Sequence, residues 1–357
     1  MRSSFGRRCA LLVVLAGSVF CSTLANGETP PNAWDAAKDP LVRDRYKLHL
    51  DVQELLEIRD LPQIGSLRNR IAVRELMAEK ARVVLEANDA AHSPDLRLRF
   101  DLAEVYEILK RFDLVTSVLE DALAMAPDHP AATHAWFSLA TAYAYRGSAA
   151  ASRKEISAYR EFLARETNDE SRATAMLNLA EAEMNLGEME QAIGDYQESL
   201  RLAASSPRLR GPETEILAVW GLAVAYDRSG DATGAAAQAR LATQMDERDR
   251  LISDDKDVFF VPAYERNWYL GLAAMAHARA EKDPRHILAH WADAEQRWEA
   301  YLAGADKPES GDRWTARARS HRDVARAERV KAAARVAKLP PPREPITPAD
   351  FLKFQIN

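Results

Sequence analysis

Between Ser171 and Ala204 the residues Met176, Leu179, Ala180, Gly187, Ala192, Tyr196 and Ala204 mark two short amphipathic helices with a turn at Gly187. A small residue behind a Leu lets two helices approach closely. Leu-Ala doublets recur at Leu102-Ala103, Leu139-Ala140, Leu179-Ala180, Leu222-Ala223 and Leu272-Ala273, with spacings of 37, 40, 43 and 50. Tyr106, Tyr143 and Tyr226 follow the Leu by four, where the third unit has Glu183; Gly147, Gly187 and Gly230 follow by eight, where the first has Lys110. A helix pair of this size cannot bury its apolar face alone, so neighbouring copies must complete the core.

The flanks are helical without the doublet. Apolar positions predict helices over Leu41–Arg59 and Leu67–Ala87, separated by Leu61-Pro62, which we read as a cap on the open end. After the fifth doublet Lys282-Asp283-Pro284 breaks the pattern, and a helix restarts near His286 with Trp291, Ala294, Trp298 and Tyr301 as its stripe. Between units four and five the charged stretch Asp246–Asp257 precedes Val258–Pro262, an apolar run suited to packing into the solenoid. Arg313–Lys338 carries nine Lys or Arg and an Ala stripe, predicting a capping helix with a solvated basic face, before a Pro-rich tail.

On these offsets the chain resembles the tetratricopeptide repeat family, as an exported bacterial member. The resemblance implies an all-α fold: an α-solenoid of about five irregular helix pairs over 91–305, with an N-terminal leader and cap at 26–90, a basic cap helix at 306–338 and a tail at 339–357. It also implies that the first helices line a concave groove, faced by residues two before, two after and five after each Leu. The first set is Phe100, Phe137, Leu177, Trp220 and Leu270; the second is Glu104, Thr141, Glu181, Val224 and Ala274; the third is Glu107, Ala144, Met184, Asp227 and His277. Relatives that grip a peptide carboxylate have Lys in the first set and Asn in the second, and neither is present. The expected groove is therefore Phe100, Glu104, Phe137, Leu177, Glu181, Trp220 and Asp227, with Trp220 as anchor, suited to a protein or peptide segment that is amphipathic and basic.

Composition sets the compartment. Arg2, Arg7 and Arg8 precede an apolar run from Cys9 to Phe20, and Thr23-Leu24-Ala25 supplies small residues for cleavage, so residues 1–25 read as a signal peptide. That run is about half of what spans a bilayer, and we expect no transmembrane anchor after processing. The expected location is periplasmic or secreted. Both cysteines, Cys9 and Cys21, leave with the signal, and packing alone must hold the mature chain. Loss of three Arg and no acid takes the net charge from −6 to −9, which gives nucleic acid no footing.

Candidate chemistry is sparse. His286 and His290 have a metal-like spacing, but Ile287 stands where zinc hydrolases of that motif carry Glu, and we assign no metal and no cofactor. His321-Arg322-Asp323 spells a kinase triplet without the glycine-rich loop or Mg-binding partners it needs. No nucleophile motif or phosphate loop occurs, and we expect no enzyme. The readings are an exported adaptor or scaffold, a permanent structural subunit of a bacterial envelope assembly, and an enzyme with residues that converge only in space.

Overall fold

A computed structural model describes residues 38–57, 67–205, 211–253, 260–307 and 312–340. The signal segment, most of the leader, Val258, Phe259 and most of the Pro-rich tail lie outside the described residues. Those described form fourteen α-helices: α1 (Pro40–Leu56), α2 (Leu67–Ala87), α3 (Leu96–Ile108), α4 (Phe112–Met125), α5 (Ala132–Ala144), α6 (Ala149–Arg165), α7 (Asp169–Leu186), α8 (Met189–Ser205), α9 (Gly211–Ser229), α10 (Ala232–Met245), the single turn α11 (Arg250–Ser253), α12 (Arg266–Ala280), α13 (Pro284–Ala305) and α14 (Thr315–Val336). Among the described residues there is no strand. The five doublets fall on α3, α5, α7, α9 and α12, each followed by its packing partner, so the pairs are α3/α4, α5/α6, α7/α8, α9/α10 and α12/α13.

Local chemistry sets the helix limits. Asp39, Asp95, Ser148, Asn168, Asp231 and Asp283 are N-caps whose side chains accept hydrogen bonds from the first-turn amides of α1, α3, α6, α7, α10 and α13. Pro40 and Pro284 sit just inside their helices, where no donor is needed. Thus Lys282-Asp283-Pro284 breaks one helix and starts the next. The turns inside the pairs pass through the left-handed region, at Lys110 (φ +57), Gly147 (φ +60), Gly187 (φ +84) and Gly230 (φ +99).

The doublet alanines Ala103, Ala140, Ala180, Ala223 and Ala273 are all 2% exposed or less, which is the close approach the pattern implies. Ala173, Leu202 and Ala203 form a small cluster, and most other buried residues gather into two large ones that meet on α7. One joins α1 to α7 and holds Ala175, Leu179 and Ala182; the other joins α7 to α14 and holds Ala180, Met184 and the fully buried Trp220, Trp268 and Trp298. Phe260 packs its ring 5.1 Å from that of Tyr269, so the apolar run after α11 is packed where it is described. Helix α14 lies along α13 with Ala318, Ala325 and Ala332 buried. On its basic face Arg326 and Arg329 pair with Glu295, each at 2.6 Å, while keeping contact with solvent. Glu295 lies on α13, and its two oxygens each accept one of these charge-assisted bonds, tying α14 to α13.

Candidate partner-binding groove

The predicted groove positions divide along the chain. On α3, Phe100 is half-buried with its ring 5.4 Å from that of His129. One turn on, Glu104 stays in contact with solvent while the surrounding protein pushes its carboxyl upward, the charge of His134 opposing. Glu107 is likewise raised by burial, against a hydrogen bond with Ser138. On α5, Phe137 is half-buried and meets Tyr159 and Phe162 edge-on at 5.6 and 5.2 Å. Leu177 and Glu181 on α7 are also half-buried, and Glu181 is pushed up to about 7 by burial and then by the negative charge of Glu265. Phe100, Glu104, Phe137, Leu177 and Glu181 thus keep some access to solvent.

Glu155 joins this acidic wall unannounced. It lies on α6, 6% exposed, and is pushed up to about 9 by burial and by the charge of Glu181. The signal was present, since Glu155 interrupts a buried stripe of Ala151, Ser152, Ile156 and Tyr159. An acid on such a stripe must either find a cation or hold its proton.

Trp220 and Asp227 have a different fate and correct the expected site. Trp220 is 0% exposed and donates its indole N–H to Oδ2 of Asp246 at 3.3 Å. Asp246 also accepts from the Leu251 amide, at 3.0 and 3.1 Å, and so fastens α11 beneath the ring. Trp220 is a core residue and has no surface to offer as an anchor. Asp227 is 2% exposed and accepts from Trp268 Nε1 (3.1 Å), Arg317 (2.8 Å) and His321 Nε2 (2.8 Å). Burial opposes its charge, yet the hydrogen bonds and charges of His321 and Arg317 outweigh it and hold the carboxyl below its ordinary range. Val224, Ala274 and Met184 are equally sealed, at 2% exposure or less.

What closes this half is a strap running from residue 312 into α14. Arg313 donates to the Leu186 carbonyl at the end of α7 (2.6 Å), Tyr301 donates to Asp312 (2.6 Å), and Trp314 lies 5.5 Å from the Arg228 guanidinium. Arg228 is fully buried, pairs with Glu265 and stacks 4.5 Å from the Trp268 ring. The link from Arg313 to Leu186 joins residues 127 apart in sequence.

Elsewhere, His286 is exposed 3.5 Å from Glu281, while the ring of His290 stacks 5.4 Å from that of His277, which is paired with Asp249 at 2.8 Å. Among the described residues no three His, Cys, Asp or Glu gather as a metal site, and no helix is long and apolar enough to cross a membrane.

These features define a class: an all-α solenoid of helix pairs whose equivalent positions are half-buried or exposed over the first pairs and sealed over the last. Residues 173–206, which span most of α7 and α8, match the tetratricopeptide repeat model. Similar solved structures include nearly identical tetratricopeptide-like repeats from Podosopora anserina (17% identity, TM-score 0.42, covering 58% of this chain and 96% of that one). Another is BtubC (BKLC) from P. vanneervenii, at 19% identity and TM-score 0.39, covering 78% and 96%. A third is the apo form of RapI, at 14% and 0.42, covering 83% and 97%. No curated protein matches the chain.

Proposed function

We propose that this protein is an exported interaction scaffold that holds a basic, amphipathic segment of a partner protein against the inner face of its first three helix pairs. The observation that carries the reading is that Glu104, Glu107 and Glu181, with the half-buried Phe100, Phe137 and Leu177, keep access to solvent at inward register positions on the first helices of the first three pairs. All three acids are pushed up by their surroundings, so each gains most from a cation that enters beside it. The apolar rings and Leu177 supply area for the partner's other face. Export rests on the Arg-flanked apolar run and Thr23-Leu24-Ala25.

A photo-crosslinking residue placed at Phe137 in the full-length protein, in intact cells, tests the site. The expected result is one dominant adduct at Phe137, lost when Glu104 and Glu181 are both changed to Gln, and none from a probe at the outward-facing Leu114. Capture from Leu114 with none from Phe137 would overturn the groove. Sequencing the N-terminus of the same protein should give a start near Asn26; an intact Met1 would remove export.

A further inference from the structure

Among the described residues seven acids are buried: Asp101, Glu155, Glu183, Asp227, Asp246, Glu265 and Glu295. Six of them accept hydrogen bonds from within the chain, Asp101 from Gln53, Asp246 from the Leu251 amide, and Glu183, Asp227, Glu265 and Glu295 from arginines. Glu155, 6% exposed, has neither a hydrogen bond nor an ion pair among the described residues. The charge that acts on it is that of another acid, Glu181, which adds to burial in keeping a proton on its carboxyl. A buried acid with no donor costs stability. A cost that nothing in the chain offsets marks a group that serves something outside it.

Helix register sets where that something would stand. Helices α6 and α7 run in opposite directions, since Arg172 reaches back to the Leu163 carbonyl (2.7 Å) and Asn178 to the Tyr159 hydroxyl (3.1 Å). One turn further along, the same register brings Glu181 opposite Glu155. Tyr159 feels the charge of both acids; it is fully buried, with the Phe137 ring edge-on to it at 5.6 Å and Thr141 beside it. Arg228, whose charge reaches Glu181, is already paired with Glu265, so neither acid has a cation of its own. Among the described residues no third His, Cys, Asp or Glu joins these two to make a metal site.

The arrangement distinguishes between cations. A guanidinium is a flat fork suited to gripping one carboxylate, whereas an ammonium is a compact charge whose three donors can be shared between acceptors on different helices. Glu155 and Glu181 stand on different helices. Phe137 and Leu177, both half-buried, give an alkyl stem apolar surface to lie along.

We propose that Glu155 and Glu181 form one subsite for a primary ammonium, the lysine side chain of a bound partner segment, with its stem along Phe137 and Leu177. This rests on the groove reading above and names the residue type that the groove selects.

Selection of a random library of peptides about twelve residues long, displayed on phage, against the full-length processed protein tests it. The expected binders are apolar peptides with lysine at one fixed position. A synthetic copy of the strongest should bind Glu155→Gln and Glu181→Gln about tenfold more weakly than the native chain, and replacing its lysine by norleucine should cost as much. Against Glu155→Gln the norleucine peptide should lose nothing further, because both changes remove the same contact. Helical circular dichroism of Glu155→Gln should be unchanged, since Gln has no charge to bury. Selection of no binder, or only of peptides without basic residues, would overturn the groove reading and the subsite with it. Basic peptides that accept arginine at the fixed position without loss, or that bind Glu155→Gln as tightly as the native chain, would leave the groove standing and overturn the subsite.

Discussion

Phe100 and Phe137 in the first two pairs hold the register position that Trp220 and Leu270 hold in the last two, yet the first two are half-buried and the others are 0% and 9% exposed. The same contrast separates Glu104, which meets solvent, from Val224 and Ala274 at 0% and 2%. Helix geometry is the same at each of these sites. What differs is cover, because α11 closes over Trp220 and the strap over Asp227, while among the described residues no such segment lies across pairs one and two. A repeat pattern fixes which face of a helix looks inward. Whether that face is a core or a groove depends on chain supplied from elsewhere.

The largest test of this contrast is a pair of truncations at equivalent positions. Trp220→Ala should cost about 3 to 5 kcal/mol by emptying a sealed site and leaving Asp246 without its indole donor, whereas Phe137→Ala should cost about 1 to 2 kcal/mol. Urea unfolding of both measures the difference. Equal losses would mean that the first pairs are as closed as the last.

Next in size is the strap itself. Asp227→Ala removes the acceptor shared by Trp268, Arg317 and His321, leaving buried donors without a partner at a cost of about 3 kcal/mol. Hydrogen exchange should then quicken in α14 while α3 to α6 keep their protection. Unchanged protection in α14 would show that its alanine stripe alone holds it.

The helix pairs and their turns were readable because their causes are local. Leu179-Ala180 and Gly187 impose spacing and a left-handed turn within one unit, and Asp283-Pro284 starts a helix whatever lies beyond it. That Phe100, Glu104, Phe137, Leu177 and Glu181 stay accessible is consistent with the same register. The sealing of Trp220 and Asp227 does not follow from it, because their cover comes from Asp246 and Leu251 in one case and from His321, 94 positions away, in the other. Glu155 was missed for a related reason: its stripe was visible, but the charge of Glu181 that raises it further comes from the next pair.

Acidity offers a third test, with opposite signs at the raised acids and at Asp227. Glu155, Glu181 and Glu183 are pushed up to about 9, 7 and 7, so between their unfolded range near 4.5 and these values the native state holds protons that the unfolded chain has lost. Their contribution to stability therefore falls as pH rises from about 5 to 9. Asp227 is held below its ordinary range, so its contribution is complete above that range and fades as pH falls through the folded value. Alkali should loosen the acidic wall, and acid the strap. Glu155→Gln should add about 1 to 2 kcal/mol at pH 8 and almost nothing at pH 4; a gain independent of pH would mean that Glu155 is ionised throughout.

The smallest effects lie at the four turns, where they distinguish an open edge from a covered one. Lys110 takes a φ of +57, which a side chain adopts only at some cost, while the next three pairs place Gly there. Lys110→Gly relieves that strain but frees the unfolded chain, and the balance should be a gain of about 0.5 kcal/mol. Gly230→Ala meets nothing within 4 Å, so it carries the backbone penalty alone, about 1 kcal/mol. Gly187→Ala carries the same penalty and also places a methyl group against the Arg313 guanidinium, which is tied to the Leu186 carbonyl and must give way. The excess of the Gly187 loss over the Gly230 loss therefore measures the hold of the strap on α7. An excess of about 1 kcal/mol is expected, and it should vanish when Arg313 is changed to Ala. Equal losses at the two glycines in the native chain would show that Arg313 does not bind that turn, and that the closed half is held shut from Asp227 alone.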